Sequence, residues 1–525
     1  DALVEQGTLP ASLLPANGCS LLYQVQAEGL DNGSSETLPP VQFEYSSFAP
    51  DQRNLQPVEG EALPPVSLAA PELGLADLNG NGLPDLFEST PAGIRFWANE
   101  GNGRFGWPKL MKDAPAGFSL ADAEVRLLDA DGNGRIDLMV NTNGLAGYYP
   151  LQHNGTWSKR GFRKYAKAPS FSFADPEVQL MDLTGDGVTD VLRNGERLEC
   201  YFQAEKGGWD DARFVNKGDL SGFPSTSLSD ARIRTATLSG NILTDLVEVQ
   251  NGSTTYWPNL GYGRWGKPRQ MANSPRFPFG YNPQQVLLAD VDGDGFSDLL
   301  LVENGTVTLW LNQSGNAWSE PIVINGTPRV SDPAAIQVVD LLGTGVPGLL
   351  WSYNANAGTR TGMYFLDFTA RVKPYLLHEM RNNMGAVTKV HYRPSTDFYL
   401  ADKANRKPWK TTLPFPVLVL AKSEMIDQLS QGKLVTCYSY HHGYYDGVER
   451  EFRGFARVEQ QDTESFAQYN ATASGGQFTA VSGIDYVPAS RICNWFHVGP
   501  VADGDGEWQE LDCSDEFWLE DTQVL

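Results

Sequence analysis

The sequence has few cysteines and no CxxC pair. Its five cysteines are scattered over 525 residues, and such an odd, sparse set argues against a disulfide framework. We expect mostly free, buried thiols, although Cys493 and Cys513 could pair. No run of 18 apolar residues is present either, because the densest one, at 413–421, is short and contains two prolines. We therefore predict no direct membrane span.

An excess of basic residues is also missing. The 40 Lys and Arg residues face 64 Asp and Glu residues, which gives a formal net charge of −24 at pH 7. Because this field repels phosphate backbones, we predict that nucleic acid is not a partner. The chain opens on Asp1 without an initiator methionine or a signal-like segment. We expect an excised fragment, whose native N-terminus and export signal lie outside this sequence.

Motifs of catalysis are missing as well. The sequence has no Gly-x-Ser-x-Gly elbow, no phosphate-cradling loop and no His-Glu-x-x-His,. His441 and His442, with Asp446 and Glu449 nearby, suggest an acid–base or metal site at first. However, adjacent residues on a strand point to opposite faces, so the two imidazoles cannot easily share one ion. We predict no catalytic residues and no enzyme activity.

An acidic loop of nine residues returns at intervals of 50 to 55 residues. One copy, which begins at Thr237, has decayed, and another, which begins at Asp340, keeps its glycines but has lost most of its oxygen ligands. The complete copies have the form Asp-x-[Asp/Asn/Thr]-x-[Asp/Asn]-Gly-x-x-Asp and begin at Asp77, Asp129, Asp182 and Asp290.

Each acidic loop lies between two short apolar stretches, which a glycine turn, an aromatic-rich stretch and a second glycine turn follow. This order predicts four strands per unit, because Asn-Gly between β-branched or aromatic runs favours a hairpin. Six such units fill residues 61–372. Four antiparallel strands repeated radially form the blades of a β-propeller. An open solenoid is disfavoured, since neither end has a polar capping repeat.

The flanks of this region lack the repeat but keep strand-like runs. Residues 1–60 and 373–525 contain no convincing amphipathic helix, and residues 465–480 are polar enough to form a loose loop. The two flanks could belong to one β-rich body. We therefore predict an all-β protein in which a six-bladed propeller, residues 61–372, is inserted between two β-rich segments.

The acidic loops place side-chain oxygens at positions 1, 3, 5 and 9, and Ca²⁺ takes six to eight oxygen ligands. A metal-free interpretation competes, because Asp and Asn side chains also cap nearby backbone groups and tighten such turns. Two of the six copies have lost ligands, so the fold does not require metal at every blade. Ca²⁺ stays an optional cofactor, with these candidate ligands: Asp77, Asn79, Asn81, Asp85, Asp129, Asp131, Asn133, Asp137, Asp182, Thr184, Asp186, Asp190, Asp290, Asp292, Asp294 and Asp298.

The acidic-loop blades resemble the FG-GAP repeats of integrin-type propellers. Stretches outside the ring resemble the B component of bacterial insecticidal Tc (toxin complex) proteins, above all His-His-Gly-Tyr-Tyr-Asp-Gly-Val-Glu-Arg-Glu-Phe-Arg-Gly-Phe at 441–455. Residues 380–396, 413–417 and 494–499 are similar to further parts of that family. The first sixty residues resemble the end of its SpvB-like region.

The resemblance implies a mechanism. In the family, the B and C components form a hollow RHS-type shell that encloses a toxin, and a propeller in that shell docks on the pentameric A component. Docking opens the propeller, and the toxin passes into the A channel. Residues 61–372 would then be the docking and gating module, and the flanks would be RHS-type shell wall. We expect a secreted, non-enzymatic toxin subunit with the A and C components as partners.

A second hypothesis is a Ca²⁺-dependent adhesin or glycan-binding propeller. It would use the acidic loops and exposed tryptophans, and it predicts glycan binding that a chelator abolishes. The sequence does not say which face of the propeller would dock in either case.

Overall fold

The computed structural model describes residues 14–53, 55–142, 144–152, 156–158, 160–204, 207–219, 227–355, 362–472, 478–502 and 508–517. These residues form an all-β protein with a six-bladed β-propeller and one large flanking sheet. The all-β class and the six-bladed propeller are thus confirmed.

The six blades follow one another along the chain, and each has a central set of four strands. Blade 1 contains Glu59–Gly60, Leu73–Ala76, Asp85–Thr90, Gly93–Asn99 and Arg104–Leu110; blade 2 contains Val125–Leu128, Asp137–Thr142, Leu145–Tyr149 and Arg163–Lys164. Blade 3 contains Val178–Met181, Asp190–Asn194, Leu198–Tyr201 and Arg213–Val215; blade 4 contains Ile233–Ala236, Asp245–Gln250, Ser253–Trp257 and Arg269–Met271. Blade 5 contains Val286–Ala289, Asp298–Glu303, Thr306–Trp310 and Ile322–Asn325, with a small pair Asn312–Gln313 and Ala317–Trp318; blade 6 contains Ile336–Val339, Gly348–Ser352, Met363–Leu366 and Leu55–Pro57.

Apolar clusters hold neighbouring blades together, one at each of the six interfaces. At the interface of blades 6 and 1, Leu341 and Leu350 pack with Trp97, whose side chain is fully buried. Because this last interface exists, the ring is closed and is not an open solenoid.

Hydrogen bonds close the ring as well. Leu55–Pro57 pairs antiparallel with Met363–Leu366 and supplies the fourth strand of blade 6 from the other end of the ring. Glu59–Gly60 then pairs with Arg104–Leu110 of blade 1. The propeller therefore begins at Leu55 and not at residue 61, because this strand completes blade 6.

Both flanks contribute to one antiparallel sheet of eight strands, called here the flanking sheet. Its order is Gln24–Val25, Val41–Tyr45, Leu377–Arg381, Ala386–Pro394, Leu418–Asp427, Gly432–Asp446, Glu451–Gln461 and Arg491–Trp495. Two small hairpins pair Glu28–Asp31 with Ser34–Thr37 and Val501–Ala502 with Trp508–Gln509. Short 3-10 helices form at Pro50–Gln52, Lys217–Asp219, Pro283–Gln285, Pro333–Ala335 and Ser514–Glu516.

The propeller is inserted between two adjacent strands of the flanking sheet. Val41–Tyr45, before the ring, pairs with Leu377–Arg381, after it. Directly beside this pair, Ser46 N donates to Leu376 O and Tyr375 N donates to Ser46 O, both at 2.9 Å. The chain thus leaves the sheet and returns to it at one point.

Two α-helices in the second flank differ from the sequence expectation. Helix α1, Ser395–Ala404, packs Phe398 into the apolar cluster on the flanking sheet. Helix α2, Phe466–Thr472, lies in the stretch expected to be a loose loop. It places the Tyr469 ring 4.7 Å from Lys433 Nζ. Both helices are short, so packing on the sheet stabilises them rather than a strong apolar periodicity.

The adjacent histidines have separate partners. His441 Nδ1 lies 2.6 Å from Asp402 Oδ2. His442 Nδ1 accepts a hydrogen bond from Lys410 N at 3.1 Å, and its Nε2 lies 2.7 Å from Glu516 Oε1. The accepted N–H places the His442 proton on Nε2. Each imidazole thus tethers a different neighbouring segment to the sheet.

The five cysteines are unpaired, and only Cys200 is buried. Burial raises the pKa of its thiol to about 12. Among the residues that the structure describes, no helix is both long enough and apolar enough to cross a membrane.

Candidate functional site: the two faces of the propeller

In each complete acidic loop, the position-1 carboxylate is the centre of the turn. Asp290 accepts hydrogen bonds from the backbone N–H groups of Gly293, Asp294 and Gly295 at 2.7, 3.1 and 2.9 Å. Gly293 and Gly295 have φ of 77° and 93°, which a residue with a Cβ rarely adopts,. The carboxylates of Asp77, Asp129 and Asp182 accept backbone N–H groups in the same way.

The position-9 aspartate ties the loop to the third strand of its blade. Asp298 is fully buried; its Oδ2 accepts from Val291 N at 3.0 Å and its Oδ1 from Asn312 N at 2.8 Å. Asp245 makes the corresponding bonds in the decayed loop of blade 4. This aspartate therefore has a structural role that survives the loss of the other acidic positions.

An amide after the third strand then links four of the six loops to the preceding blade. Asn312 Nδ2 donates to Ser297 O in its own blade at 3.2 Å and to Leu238 O of blade 4 at 3.5 Å. Equivalent bonds run from Asn99 to Leu341, from Gln203 to Asp129 and from Asn259 to Asp182. The sequence analysis missed these amides, although they recur 13 or 14 residues after the position-9 aspartate.

Burial raises the pKa of several of these carboxyl groups. It raises the pKa of Asp77 to about 6 and, together with repulsion from Asp77, the pKa of Asp85 to about 8. Burial also raises the pKa of Asp190 to about 6, and burial with repulsion from Asp294 raises the pKa of Asp292 to about 8. Backbone N–H groups therefore compensate the charge of the loops only in part.

Two of the loops fit a cation better than the other two. Each brings three carboxylates together with ligand oxygens within 4.8 Å of one another: Asp129, Asp131 and Asp137, and Asp290, Asp292 and Asp294. In the two remaining complete loops, the side chain at position 3 is not a carboxylate and donates a hydrogen bond to an aspartate of the same loop. Asn79 Nδ2 donates to Asp85 at 2.6 Å, and Thr184 Oγ1 donates to Asp182 at 3.4 Å.

Neighbouring side chains already donate hydrogen bonds to both clusters of three carboxylates. Tyr148 Oη donates to Asp131 Oδ2 at 3.1 Å. Tyr375 Oη and Asn17 Nδ2 donate to Asp292 Oδ2 at 3.0 and 3.2 Å. We propose that Ca²⁺ binds at these two loops as an addition to a fold that stands without it.

The calcium hypothesis has a direct test. The chain is expected to stay folded in EDTA, because its loops are closed by backbone hydrogen bonds. Adding Ca²⁺ at about 100 times its dissociation constant should stabilise the fold by about 2.7 kcal/mol. Asp131→Asn and Asp292→Asn, each measured alone by thermal unfolding, should reduce that gain, whereas Asp186→Asn should not. An unchanged unfolding temperature with and without Ca²⁺ would leave only the metal-free turn.

The acidic loops face the flanking sheet and the chain next to it. On blade 1, Leu413 N donates to Gly80 O at 3.0 Å, and on blade 6, Thr396 Oγ1 donates to Gly343 O at 2.6 Å. On blade 2, Gly447 lies against Asn133, and on blade 3, Arg450 pairs with Asp186. On blade 5, Asn17 donates to Asp294 and Tyr375 donates to Asp292. This acidic-loop face thus carries contacts to the flanks on five of the six blades.

The opposite face consists of the turns between second and third strands and of the connections between blades. In blade 4 the turn between the second and third strands meets the connection to blade 5. Gly252 N donates to Pro275 O at 2.7 Å, and Phe277 N donates to Asn251 Oδ1 at 2.8 Å. Phe279, on the same connection, is fully exposed. All the flank contacts described above end on the acidic-loop face.

These features define the class of protein as an FG-GAP-type β-propeller built into a larger β-sheet body. The family model for the FG-GAP-like repeat matches residues 77–140. The model described as "Insecticide toxin TcdB middle/N-terminal region" matches residues 312–474. The second match covers three of the four strands of blade 6 and five of the eight strands of the flanking sheet.

Solved structures agree with both matches. The Photorhabdus luminescens Tc holotoxin pore aligns with a TM-score of 0.78 and 30% identity over 91% of this chain and 22% of that chain. The crystal structure of TcdB2-TccC3-Cdc42 aligns with a TM-score of 0.64 and 29% identity, and that of TcdB2-TccC3 with 0.63 and 28%, over the same shares. A comparison with curated protein sequences gave no match.

The chain is therefore a Tc toxin B-component-like protein. It spans about a fifth of the length of the solved chains that it matches. The resemblance inferred from residues 441–455 is confirmed.

Proposed function

We propose that this chain is a non-enzymatic part of a secreted toxin complex, with a propeller that docks on the pentameric A component. The observation that carries the proposal is the unequal use of the two propeller faces. The acidic-loop face is bound to the flanks on five blades. Among the residues that the structure describes, the flank contacts named above leave the opposite face open to a partner, and this face presents the exposed ring of Phe279.

The gating part of the proposal follows from ring closure. In this proposal the blades separate to let the toxin cross, and each interface between blades is closed by an apolar cluster with buried side chains such as Trp97. Exposing one such side chain costs about 3 kcal/mol. Docking would therefore have to supply binding energy that opens the ring, and the closed state would hold the toxin until then.

The remaining partners follow from the same similarity. TccC3 accompanies TcdB2 in the solved relatives, and we propose a C component as the corresponding partner of this protein. The flanking sheet would be one piece of the wall that the B and C components build around the toxin. With a net charge of −24, the surface is unsuited to nucleic acid,.

The proposal is tested by measuring association of the full chain with a purified A-type pentamer. Binding is expected to be unchanged by EDTA. Phe279→Ala should weaken it at least tenfold, because aromatic side chains dominate such interfaces. Phe214→Ala is the matched control, since Phe214 is exposed on an outer blade strand rather than on the opposite face.

Two results would contradict the proposal. One is equal binding by the Phe279→Ala variant, which would show that another surface docks. The other is no association with the pentamer together with glycan binding that EDTA abolishes, which would support the adhesin hypothesis.

A further inference from the structure

The blades differ at the position that bears the linking amide. This position lies two residues beyond the point where the third strand last pairs with the second strand. The register of strand pairing places an amide there in four blades: Asn99, Gln203, Asn259 and Asn312. It places Leu151 there in blade 2 and Phe368 in blade 6. Two blades therefore have an apolar side chain where the other four have an amide.

Leu151 and Phe368 are packed into the interfaces with the preceding blades. Leu151 is buried and belongs to the apolar cluster that contains Leu78 of blade 1. Phe368 is fully buried in the cluster that contains Val291 of blade 5. At these two interfaces, an apolar contact thus takes the place of the hydrogen bond between amide and carbonyl.

The other four interfaces are fixed by directional bonds. Their amides donate to carbonyls of the preceding blade at 2.9 to 3.5 Å. In addition, Tyr262 N of blade 4 donates to Leu183 O of blade 3 at 2.9 Å, and Ser297 N of blade 5 donates to Thr237 O of blade 4 at 2.8 Å. Residues 55–60 pair first with blade 6 and then with blade 1. Because hydrogen bonds weaken steeply when their angle changes, these blades hold one mutual orientation.

The amide-linked interfaces join the blades into two groups, called here the two arcs. Blades 6 and 1 form one arc, and blades 2, 3, 4 and 5 form the other. The arcs meet at the interface of blades 1 and 2 and at that of blades 5 and 6. Apolar attraction is non-directional, so packed apolar surfaces can shift against each other in a shear motion.

On the opposite face, the connections between blades hold the arcs together. The connection from blade 1 to blade 2 is attached to blade 1, since Leu120 N donates to Ser89 Oγ at 3.3 Å. The connection from blade 5 to blade 6 is attached to blade 6, since Tyr353 Oη donates to Arg329 O. The two apolar interfaces are therefore tethered at the opposite face and lack the linking amide at the acidic-loop face.

We propose that the ring opens at these two interfaces, with blades 6 and 1 moving as one arc and blades 2–5 as the other. The opening starts at the acidic-loop face, beside Leu151 and Phe368, and turns about the connections on the opposite face. The motion belongs to the isolated chain. Its use in gating rests on the proposed function, because docking would then part these two interfaces before the other four.

Thiol labelling of the full chain tests which interfaces part. Cys200 is fully buried between blades 3 and 4 and serves as the internal reference at an amide-linked interface. Val140→Cys and Val302→Cys place buried thiols at the two apolar interfaces, and Val247→Cys places one between blades 4 and 5. The rate of alkylation by iodoacetamide is measured at each site by mass spectrometry and divided by the rate at Cys200. This ratio, taken within one molecule, cancels changes in global stability.

The expected ratio follows from the missing hydrogen bond. One such bond changes an opening equilibrium by about fivefold. Alkylation relative to Cys200 should therefore be about fivefold faster for Val140→Cys and Val302→Cys, and about equal for Val247→Cys.

A second variant isolates the contribution of the amide. Asn312→Leu gives the interface of blades 4 and 5 the side chain that blade 2 has at this position. It should speed alkylation at Val247→Cys about fivefold and leave alkylation at Val302→Cys unchanged, because that thiol lies on the other side of blade 5. Asn316→Leu is the matched control, since the exposed Asn316 amide donates only within its own turn, to Ser314 O at 3.0 Å.

The outcomes separate this inference from the proposed function. Equal alkylation at all four interfaces, or alkylation of every thiol at the rate of global unfolding, overturns the inference. Faster alkylation at Val247→Cys than at the two apolar interfaces does the same. If the thiols react as expected but bound A pentamer leaves their rates unchanged, the two arcs stand and the gating part of the proposed function fails.

Discussion

Replacing Gly447 by alanine is expected to detach the turn of the flanking sheet from blade 2. Gly447 has no unusual φ, but a Cβ on it would overlap the carbonyl oxygen of Asn133 in the acidic loop. The backbone at Asn133 cannot yield easily, because Asn133 N donates a hydrogen bond to Asp129 Oδ1 at 3.1 Å. We expect a loss of about 3 kcal/mol, as for severe overpacking. Hydrogen exchange of residues 440–455 should rise, and denaturant unfolding should show the lower stability.

The control for this variant is Gly483→Ala. Gly483 also lies outside the positive-φ region, and nothing stands within 4 Å of its Cβ position. Stability should therefore change by less than about 0.5 kcal/mol. If Gly447→Ala unfolds at the same denaturant concentration as the unchanged protein, the contact between the turn and the blade does not exist in solution.

Replacing Asp245 by alanine is expected to destabilise blade 4 by about 3 kcal/mol. Its carboxylate accepts from Leu238 N, Ser239 N and Asn259 N at 3.1, 2.8 and 2.9 Å, and each buried N–H left without a partner costs about 1–3 kcal/mol,. Burial raises the pKa of Asp245, so removing a costly buried carboxyl offsets part of the loss.

This variant separates the structural role of the acidic loops from metal binding. The decayed loop of blade 4 lacks most cation ligands, so a large effect there must come from the hydrogen bonds. Asp211→Ala, at an exposed ion pair with Lys167, should cost almost nothing,. Urea unfolding followed by tryptophan fluorescence measures both. A loss below about 1 kcal/mol for Asp245→Ala would mean that the aspartate does not hold the blade.

The sequence predicts the propeller well because each blade repeats the same local features. Regular spacing of the acidic loops reveals six units without any knowledge of their packing. The closing strand Leu55–Pro57 carries no such repeat, since it pairs with a partner some three hundred residues away. Helix α1 is missed for a related reason, because its stability comes from Phe398 against the sheet.

The candidate site is predictable only in part. The positions of the loop aspartates are plain from the pattern, but their partners are not. Asp292 meets Tyr375 and Asn17, which lie far from it in sequence. Which propeller face the flanks use also depends on these distant contacts. The composition does not show which face the flanks contact. The acidic residues that suggest an ion site also accept hydrogen bonds from flank residues.

The chain leaves the flanking sheet and returns to it at one point, beside Ser46 and Leu376. This arrangement has a consequence for how such proteins can vary. Because both connections to the ring are neighbours in one hydrogen-bonded ladder, excising residues 47–374 would leave two ends that a short linker can join. The wall strands would keep their register. One ring could thus be exchanged for another as a cassette, while the flanking sheet keeps its order of strands.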